Sequence, residues 1–240
     1  MLDLERLKFE LHHSEGLMGR RSFLTQLASG VVVSTSALLF SESGAFAEQL
    51  MSTPALTEGP YYPDTLPLDT DNDLIIIRNS TTPAVGVITH MSGRVLSSSG
   101  EPVRNATVEI WQCDAHQVYL NTRDSIPKVA QRDKNFQGFG RFLTSSTGGY
   151  RFRTIKPVPY PGRTAGHIHV KVKRGDREML TTQLFVRGHP GNATDNVFND
   201  MSDPLDRELV LGSFVPVKAS KIGELSVKFD IVLGRTPSDR

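Results

Sequence analysis

The sequence has little of what would point to a disulfide-stabilised protein or to one that binds nucleic acid. It contains a single cysteine, Cys113, so no disulfide within the chain can form. No basic residue adjoins Cys113 to activate its thiol, and we expect it to be buried together with Trp111. Lysine and arginine number 27 against 26 aspartates and glutamates, a net charge of +1. This balance gives no reason to expect nucleic acid or an anionic membrane as partner.

Long hydrophobic runs are also scarce, and the longest lies near the N-terminus. It extends through Val31 to Phe40, is interrupted by serine and threonine, and falls short of the roughly 20 residues that span a bilayer. The paired Arg20 and Arg21 precede it, and Ala45-Phe46-Ala47 supplies small residues after it. This order resembles a twin-arginine signal peptide over residues 1–47, which predicts export to the periplasm or beyond. An uncleaved membrane anchor is the alternative, but stable membrane insertion is not expected.

The remainder of the chain has no sustained helical period, apart from a turn or two near Asp203–Leu211. Residues 48–73 form a polar, proline-rich lead-in. Residues 74–240 contain short runs typical of strands: Leu74–Arg78, Val87–Leu96, Ala106–Gln112, Tyr150–Thr154, His167–Lys173, Leu180–Val186 and Leu225–Leu233. This pattern predicts an all-β fold, an antiparallel β-sandwich or a barrel, and we take the antiparallel β-sandwich as the expected architecture. Its long loops, Asn121–Gln137 and Arg187–Met201, are candidates for binding loops.

Two histidines in the fifth of these runs are candidate metal ligands. Residues two apart on a strand point to the same side, so His167 and His169 face one point while Ile168 faces the opposite layer. Imidazole is the commonest metal-binding side chain. The residues alone leave open whether the pair binds metal or only packs.

In order along the chain, several longer stretches resemble the intradiol ring-cleavage dioxygenases, the group of protocatechuate 3,4-dioxygenase and catechol 1,2-dioxygenase. The resemblance runs from about Gly59 to Val186. It rests on Gly59-Pro60-Tyr61-Tyr62-Pro63, Ala106-Thr107-Val108-Glu109-Ile110-Trp111-Gln112, Asp114 to Tyr119, Gly149-Tyr150-Arg151-Phe152, Tyr160-Pro161, His167-Ile168-His169 and Leu180-Thr181-Thr182-Gln183.

The resemblance implies a mononuclear non-haem Fe(III) held by two tyrosines and two histidines, which fall on Tyr119, Tyr160, His167 and His169. The residue types agree with this, because phenolate oxygen is a hard, anionic donor that favours Fe(III), and a bound cation lowers the pKa of the phenol. The implied substrates are a catechol-like aromatic diol and O2. The ring opens between its two hydroxylated carbons to give a muconate-type dicarboxylate.

The resemblance also assigns roles around the metal. Tyr160 is the ligand released to act as a base, Arg163 stabilises negative charge on the ring, and Gln183 lies nearby. Tyr61 or Tyr62 is expected to contact the substrate. Arg163 stands four residues before His167 rather than the three typical of the family.

Other readings remain beside this one. The short gap between Tyr160 and His167 suggests an open pocket that admits hydroxyquinol or substituted catechols. An exported, non-catalytic β-sandwich binding module that retains the framework is the alternative of a different class. Zinc is disfavoured because it prefers histidine, cysteine and carboxylate ligands. A homo-oligomer is left open.

Overall fold

The computed structural model describes residues 49–78, 80–121 and 130–234. The predicted signal peptide, residues 1–47, lies outside these ranges. Among the residues described, no helix is both long enough and apolar enough to span a bilayer.

Ten strands and three short helical segments make up the described part of the chain. The strands are β1 (Ile88–Ser97), β2 (Thr107–Trp111), β3 (Phe139–Leu143), β4 (Gly149–Ile155), β5 (His167–Arg174), β6 (Arg177–Val186), β7 (Leu211–Gly212), β8 (Val215–Pro216), β9 (Leu225–Lys228) and β10 (Ile231–Leu233). Between β6 and β7 lie a 3₁₀ turn (Pro190–Ala193), helix α1 (Asn196–Asn199) and helix α2 (Pro204–Leu209). The expectation of many strands and few helices is confirmed.

The strands form two five-stranded sheets with mixed pairing. In the first sheet β1 pairs with β4, β9 and β10, and β8 pairs with β9; the second has the order β3-β2-β5-β6-β7. Most pairs are antiparallel, but β1 runs parallel to both β9 and β10, and β6 runs parallel to β7. The expectation of purely antiparallel pairing is therefore wrong at these three pairs. Alternation of apolar and polar residues predicts a strand and its buried face, but it carries no information about direction.

One predicted run forms no strand, the run Leu225–Leu233 is divided between β9 and β10, and the observed strand β3 was not predicted. Leu74–Arg78 is not a strand; Leu74 and Ile75 are buried, and the Leu74 amide donates to the Arg153 carbonyl at 2.8 Å. Strand β3 had no sequence signal, because Gly138 and Gly140 resemble turn residues. A Cβ at Gly140 would lie 2.6 Å from Leu74 Cδ1, so this glycine permits close packing inside a strand.

One apolar cluster draws on both sheets. It includes Met91, Val95 and Phe152 from the first sheet, and Val108, Ile110, Ile168, Val170 and Val172 from the second. In β5 the residues of this cluster alternate with His167, His169 and Lys171, which therefore face away from the core, as the sequence predicts.

Close contact between β1, β4 and the end of β9 depends on one glycine and one tyrosine. Gly93 is paired with Tyr150, and a Cβ at Gly93 would lie 1.8 Å from the Phe229 carbonyl oxygen. The buried Tyr150 hydroxyl donates to that same carbonyl. Burial raises the pKa of Tyr150 well above 10.0, and the Asp230 carboxylate adds to this.

This raised pKa makes stability depend on pH in the alkaline range. Above pH 10 Tyr150 ionises in the unfolded chain but not in the folded one, so the unfolded state binds fewer protons and the free energy of unfolding falls as pH rises. The contribution of one such group is about 1.4 kcal/mol per pH unit. We predict a shallower decline in Tyr150→Phe, measured by urea unfolding at several pH values above 10. The other tyrosines are common to both proteins, so equal slopes would contradict the prediction.

Candidate metal centre

A row of side chains crosses four strands on the outer face of the second sheet. The strand register places Phe139 opposite Trp111, Trp111 opposite His169, and His169 opposite Gln183. Directly opposed residues on one face of a sheet lie within contact distance. The His169 ring stacks on the Trp111 indole, with centroids 4.8 Å apart and 7° between the planes. The register of β2, β5 and β6 therefore fixes where this imidazole lies.

The structure brings the four sequence-predicted ligands together beside this row. Ring centroids are 4.8 Å apart for His167 and His169, and 5.2 Å apart for Tyr119 and Tyr160. Tyr160 lies 5.5 Å from His167, and Tyr119 lies 6.1 Å from His169. Residues far apart in sequence thus present two phenols and two imidazoles to one small volume.

The turn that follows β2 delivers Tyr119. The buried Asp114 carboxylate accepts hydrogen bonds from the amides of His116 and Val118, both at 2.9 Å, and from the Asp133 amide at 2.7 Å. An aspartate that accepts from amides two and four residues ahead stabilises a tight reversal of the chain. The reversal returns Tyr119, which is 3 % exposed, to the side of the histidines.

A tight turn delivers Tyr160 together with Arg163. The Tyr160 amide donates to the Arg163 carbonyl at 3.0 Å, and the Arg163 amide donates to the Tyr160 carbonyl at 2.9 Å. Between them lie Pro161 and Gly162, whose φ is +92°. Proline followed by a residue of positive φ is the requirement of a type II turn. The turn makes Tyr160 and Arg163 direct neighbours.

Both imidazoles are buried with ring nitrogens available to a ligand. The Nδ1 of His167 lies 2.8 Å from the Ala165 carbonyl, so this nitrogen carries the proton and Nε2 carries the lone pair. Neither this Nε2 nor either ring nitrogen of His169 has a hydrogen-bonding partner among the described residues. Burial lowers the pKa of His167 to about 3 and that of His169 well below 6.5, with the charge on Arg163 acting in the same direction. Neutral imidazoles with unpartnered buried nitrogens fit a metal ion.

Burial shifts the pKa values of the two phenols in the opposite direction, upward. Burial raises the pKa of Tyr160 to about 12, against the smaller lowering effects of the Tyr119 hydrogen bond and the Arg163 charge. Burial likewise raises the pKa of Tyr119 well above 10.0. A phenol in such surroundings ionises at neutral pH only where a cation lies against it. The residues therefore fit the ferric ion that the family resemblance implies.

Among the described residues, no second set of metal donors is evident. Within residues 49–78, 80–121 and 130–234, no group of three or more histidine, cysteine, aspartate and glutamate side chains is arranged to hold a metal. The donors that do converge are the two phenols and two imidazoles.

The predicted Arg163 and Gln183 are joined to each other. Arg163 Nη2 donates to Gln183 Oε1 at 2.8 Å, and Gln183 Nε2 donates to the Thr57 carbonyl at 2.8 Å. On its other edge, Arg163 Nε donates to the buried Asp195 carboxylate at 2.9 Å. Sequence reasoning missed Asp195, because it lies 32 residues beyond Arg163 in a loop without a motif.

The lead-in covers the outer face of the second sheet, and its two tyrosines, Tyr61 and Tyr62, make different contacts there. Tyr61 stacks on Tyr119, with centroids 4.5 Å apart and 7° between planes, and meets Tyr160 edge-on at 5.6 Å. The Tyr62 hydroxyl donates to the buried Glu109 carboxylate at 2.9 Å. Of the two predicted substrate contacts, Tyr61 is therefore the one that lies against the candidate ligands.

Several polar contacts hold this lead-in in place. Lys171 forms an ion pair with Glu58 and also lies over the Tyr62 ring, with Nζ 4.3 Å from its centroid. Asn121 Nδ2 donates to the carbonyls of Pro60 and Tyr62 at 3.2 and 3.0 Å. These contacts fix the backbone on both sides of Tyr61.

Comparison with known proteins gives a consistent result. A family model described as "Dioxygenase" matches residues 57–235. The protocatechuate 3,4-dioxygenase beta chain of Burkholderia cepacia is 35% identical over 185 residues, which is 72% of this chain and 76% of the relative. Hydroxyquinol 1,2-dioxygenase of Corynebacterium glutamicum is 29% identical over 58% of this chain and 48% of its own length. Chlorocatechol 1,2-dioxygenase of Pseudomonas putida is 30% identical over 57% of this chain. The matched part of the chain spans about half the length of these last two relatives.

Solved structures resemble the chain in fold. The dioxygenase domain of a dioxygenase carbohydrate-binding protein fusion from Streptomyces sp. SirexAA-E has a TM-score of 0.57 and 32% identity, covering 78% of this chain and 100% of that domain. Catechol 1,2-dioxygenase from Acinetobacter sp. ADP1 also has a TM-score of 0.57, at 24% identity, covering 78% of this chain and 67% of that one. At that lower identity, the likeness concerns the fold alone.

The turn between Tyr160 and Arg163 can be tested with a matched pair of glycines. Gly162 and Gly175 both have positive φ, at +92° and +56°, and a Cβ on either would meet nothing within 4 Å. Each glycine-to-alanine change should therefore cost about 1–2 kcal/mol through backbone strain alone. We predict that Gly162→Ala also alters the near-ultraviolet circular dichroism of the packed tyrosines, whereas Gly175→Ala leaves it unchanged. Identical spectra for both variants would count against the turn as the support of Tyr160.

Proposed function

The chain belongs to the intradiol ring-cleavage dioxygenase family, and on that basis we propose that it is a non-haem Fe(III) enzyme acting on a catechol-like aromatic diol. In this proposal both atoms of O2 enter the substrate, and the ring opens between its hydroxylated carbons to give a muconate-type dicarboxylate. The observation that carries the proposal is the convergence of Tyr119, Tyr160, His167 and His169 on one buried volume.

These four residues would hold the metal. When bound, a ferric ion would supply a Lewis-acidic centre that makes the ring of a catechol-like diol reactive toward O2. The Ala165 carbonyl keeps His167 in the tautomer whose Nε2 is a donor to metal. Trp111 supports the His169 ring by stacking on it. These contacts orient the two imidazoles before any ligand arrives.

Tyr160 is the ligand best suited to exchange a proton with the substrate. Tyr119 is almost fully buried, whereas Tyr160 is half-buried on an exposed turn. A phenolate at the accessible position can accept a proton from an incoming diol hydroxyl at its own oxygen. Tyr119, covered by Tyr61, would remain in place.

Arg163 supplies the positive charge of the site. Arg163 is paired with Tyr160 through the backbone of the turn, and its guanidinium is held by Gln183 and Asp195. A fixed cation in a partly desolvated pocket stabilises negative charge that develops on a bound ring. Gln183 has its carbonyl oxygen committed to Arg163 and its amide nitrogen committed to Thr57, so its role in this proposal is to hold the guanidinium.

The substrate class follows from the walls of the site. Tyr61 presents an aromatic ring next to both candidate tyrosine ligands, which favours a flat aromatic substrate. Hydroxyquinol and substituted catechols remain within this proposal, because the short segment from Tyr160 to His167 leaves few residues to cover the centre.

Export through residues 1–47 is part of the proposal as well. It predicts a mature protein beginning near Glu48, which N-terminal sequencing of the exported protein would test.

The central experiment is an oxygen-uptake screen with iron-loaded protein over a panel of catechols, with the products identified by mass spectrometry. One O2 consumed per diol and a dicarboxylate that carries both oxygen atoms of ¹⁸O₂ are expected. The protein should be coloured by charge transfer from tyrosinate to Fe(III). A colourless protein that takes up no iron and consumes no oxygen would instead favour a non-catalytic binding module.

A pair of tyrosine substitutions tests the metal ligands. Tyr119→Phe removes a proposed phenolate ligand, and we predict that iron affinity falls by more than roughly tenfold, the loss already typical of removing an outer partner of a metal ligand. Tyr62→Phe is the matched control, since its hydroxyl contacts Glu109. It should retain iron and the visible absorption band. Equal iron contents and equal spectra in the two variants would contradict the assignment.

A further inference from the structure

Asp195 is a buried carboxylate that connects three segments of the chain. It is 1 % exposed and lies in the loop between β6 and β7. Its Oδ1 accepts from the Phe198 amide at 3.1 Å and from Arg163 Nε at 3.2 Å. Its Oδ2 accepts from Arg163 Nε at 2.9 Å and from the Ala165 amide at 3.2 Å. One side chain thus contacts helix α1, the turn that carries Tyr160, and the residue two positions before His167.

Capping of a helix does not account for this set of contacts. Asp203 caps the neighbouring helix α2 with one hydrogen bond, from the Leu205 amide at 2.8 Å, and is exposed. Asp195 caps α1 in the same way, yet it is buried and also pairs with a guanidinium. Burying a carboxylate is costly unless a cation compensates it. The burial of Asp195 therefore indicates that its position is adapted to Arg163.

The contacts of Arg163 fix the plane of its guanidinium. Nε is held by Asp195, and Nη2 is held by Gln183 at 2.8 Å. The guanidinium is rigid and planar, so two hydrogen bonds to different nitrogens determine its orientation. The Phe185 ring, with its centroid 5.8 Å from Arg163 Cζ, packs against it as well.

The same carboxylate also reaches the backbone next to His167. The Ala165 amide donates to Asp195, and the Ala165 carbonyl accepts the hydrogen bond that orients the His167 ring. Because that ring is held by the carbonyl and not by the amide, Arg163 is the side chain of the site that Asp195 holds directly.

We propose that Asp195 is a positioning residue of the catalytic site, which holds the Arg163 guanidinium against Gln183 and so directs its charge toward the bound substrate. It belongs to the loop Arg187–Met201 and makes that loop part of the site. The inference rests on the proposed ring-cleavage function, since it takes Arg163 as the charge that acts on the ring.

The first test compares Asp195→Asn with Asp203→Asn in the iron-loaded protein. Asparagine caps helices as well as aspartate does, so both helices should be retained. We expect Asp195→Asn to lower kcat by roughly tenfold to a hundredfold, the range that is typical when an outer partner in a metal site is removed. KM, iron content and the tyrosinate absorption band should stay close to those of the unchanged protein. Asp203→Asn should match the unchanged protein in kcat, KM, iron content and absorption band. A kcat in Asp195→Asn equal to that of Asp203→Asn would overturn the proposal.

A double-mutant cycle tests whether Asp195 acts through Arg163. If it does, adding Asp195→Asn to Arg163→Gln should change kcat little further, because the group that Asp195 positions is already absent. If the fall in kcat of the double variant equalled the product of the two single falls, Asp195 would act independently of Arg163, and the proposal would be overturned. Asp195→Glu is a second variant that keeps the negative charge beside Arg163 but displaces it by one methylene. It should lower kcat with iron retained, and an unchanged kcat would also count against the proposal.

A measurement on the metal-free protein separates this inference from the proposed function. The Arg163 Nε–H proton, identified in ¹⁵N spectra by its loss in Arg163→Gln, should exchange slowly with solvent. Its exchange should accelerate in Asp195→Asn and not in Asp203→Asn. If no catechol is cleaved by the unchanged protein, the ring-cleavage function fails while this coupling is still measured. If exchange is equally fast in all three proteins, Asp195 does not hold the guanidinium.

Discussion

The constraint on which the site depends is the register of β5 between β2 and β6. It sets His169 directly between Trp111 and Gln183, and His167 opposite Phe185. A shift of one residue would turn both imidazoles into the apolar core and bring Ile168 to the outer face. The buried Ile168, Val170 and Val172 resist that shift, because they anchor the other face of the strand. The same burial that stabilises the sheet therefore fixes the positions of the two imidazoles.

Burial also determines what the site can bind. It raises the pKa values of Tyr119 and Tyr160 and lowers those of His167 and His169, so without a cation all four groups are neutral. A hard, highly charged ion reverses the effect on the phenols while using the neutral imidazoles as they are. The site thus favours an ion that gains from two phenolate ligands, which is the physical basis for proposing Fe(III).

The sequence predicted the parts of the molecule that local pattern determines. The alternation in β5 placed His167 and His169 on one face and Ile168 on the other. The parallel pairing of β9, β10 and β7 could not be predicted, because strand direction depends on long-range connections. Asp195 was missed for a similar reason: its partner Arg163 is close only in the fold, and an aspartate before a helix resembles an ordinary cap.

In the proposed enzyme, the division between strands and loops would allow one metal centre to serve different diols. The imidazoles stand on a strand held from both sides, whereas Tyr160, Arg163 and Asp195 stand on connections and Tyr61 on the lead-in. Changes in these connections alter the walls of the pocket without moving the histidines. The freedom is limited, however, because Arg163 is tied to Gln183 on a strand and to Asp195 in a loop. A variation in the loop Arg187–Met201 that displaces Asp195 would therefore also move the Arg163 guanidinium, and in the proposed enzyme this one ion pair would couple substrate range to catalysis.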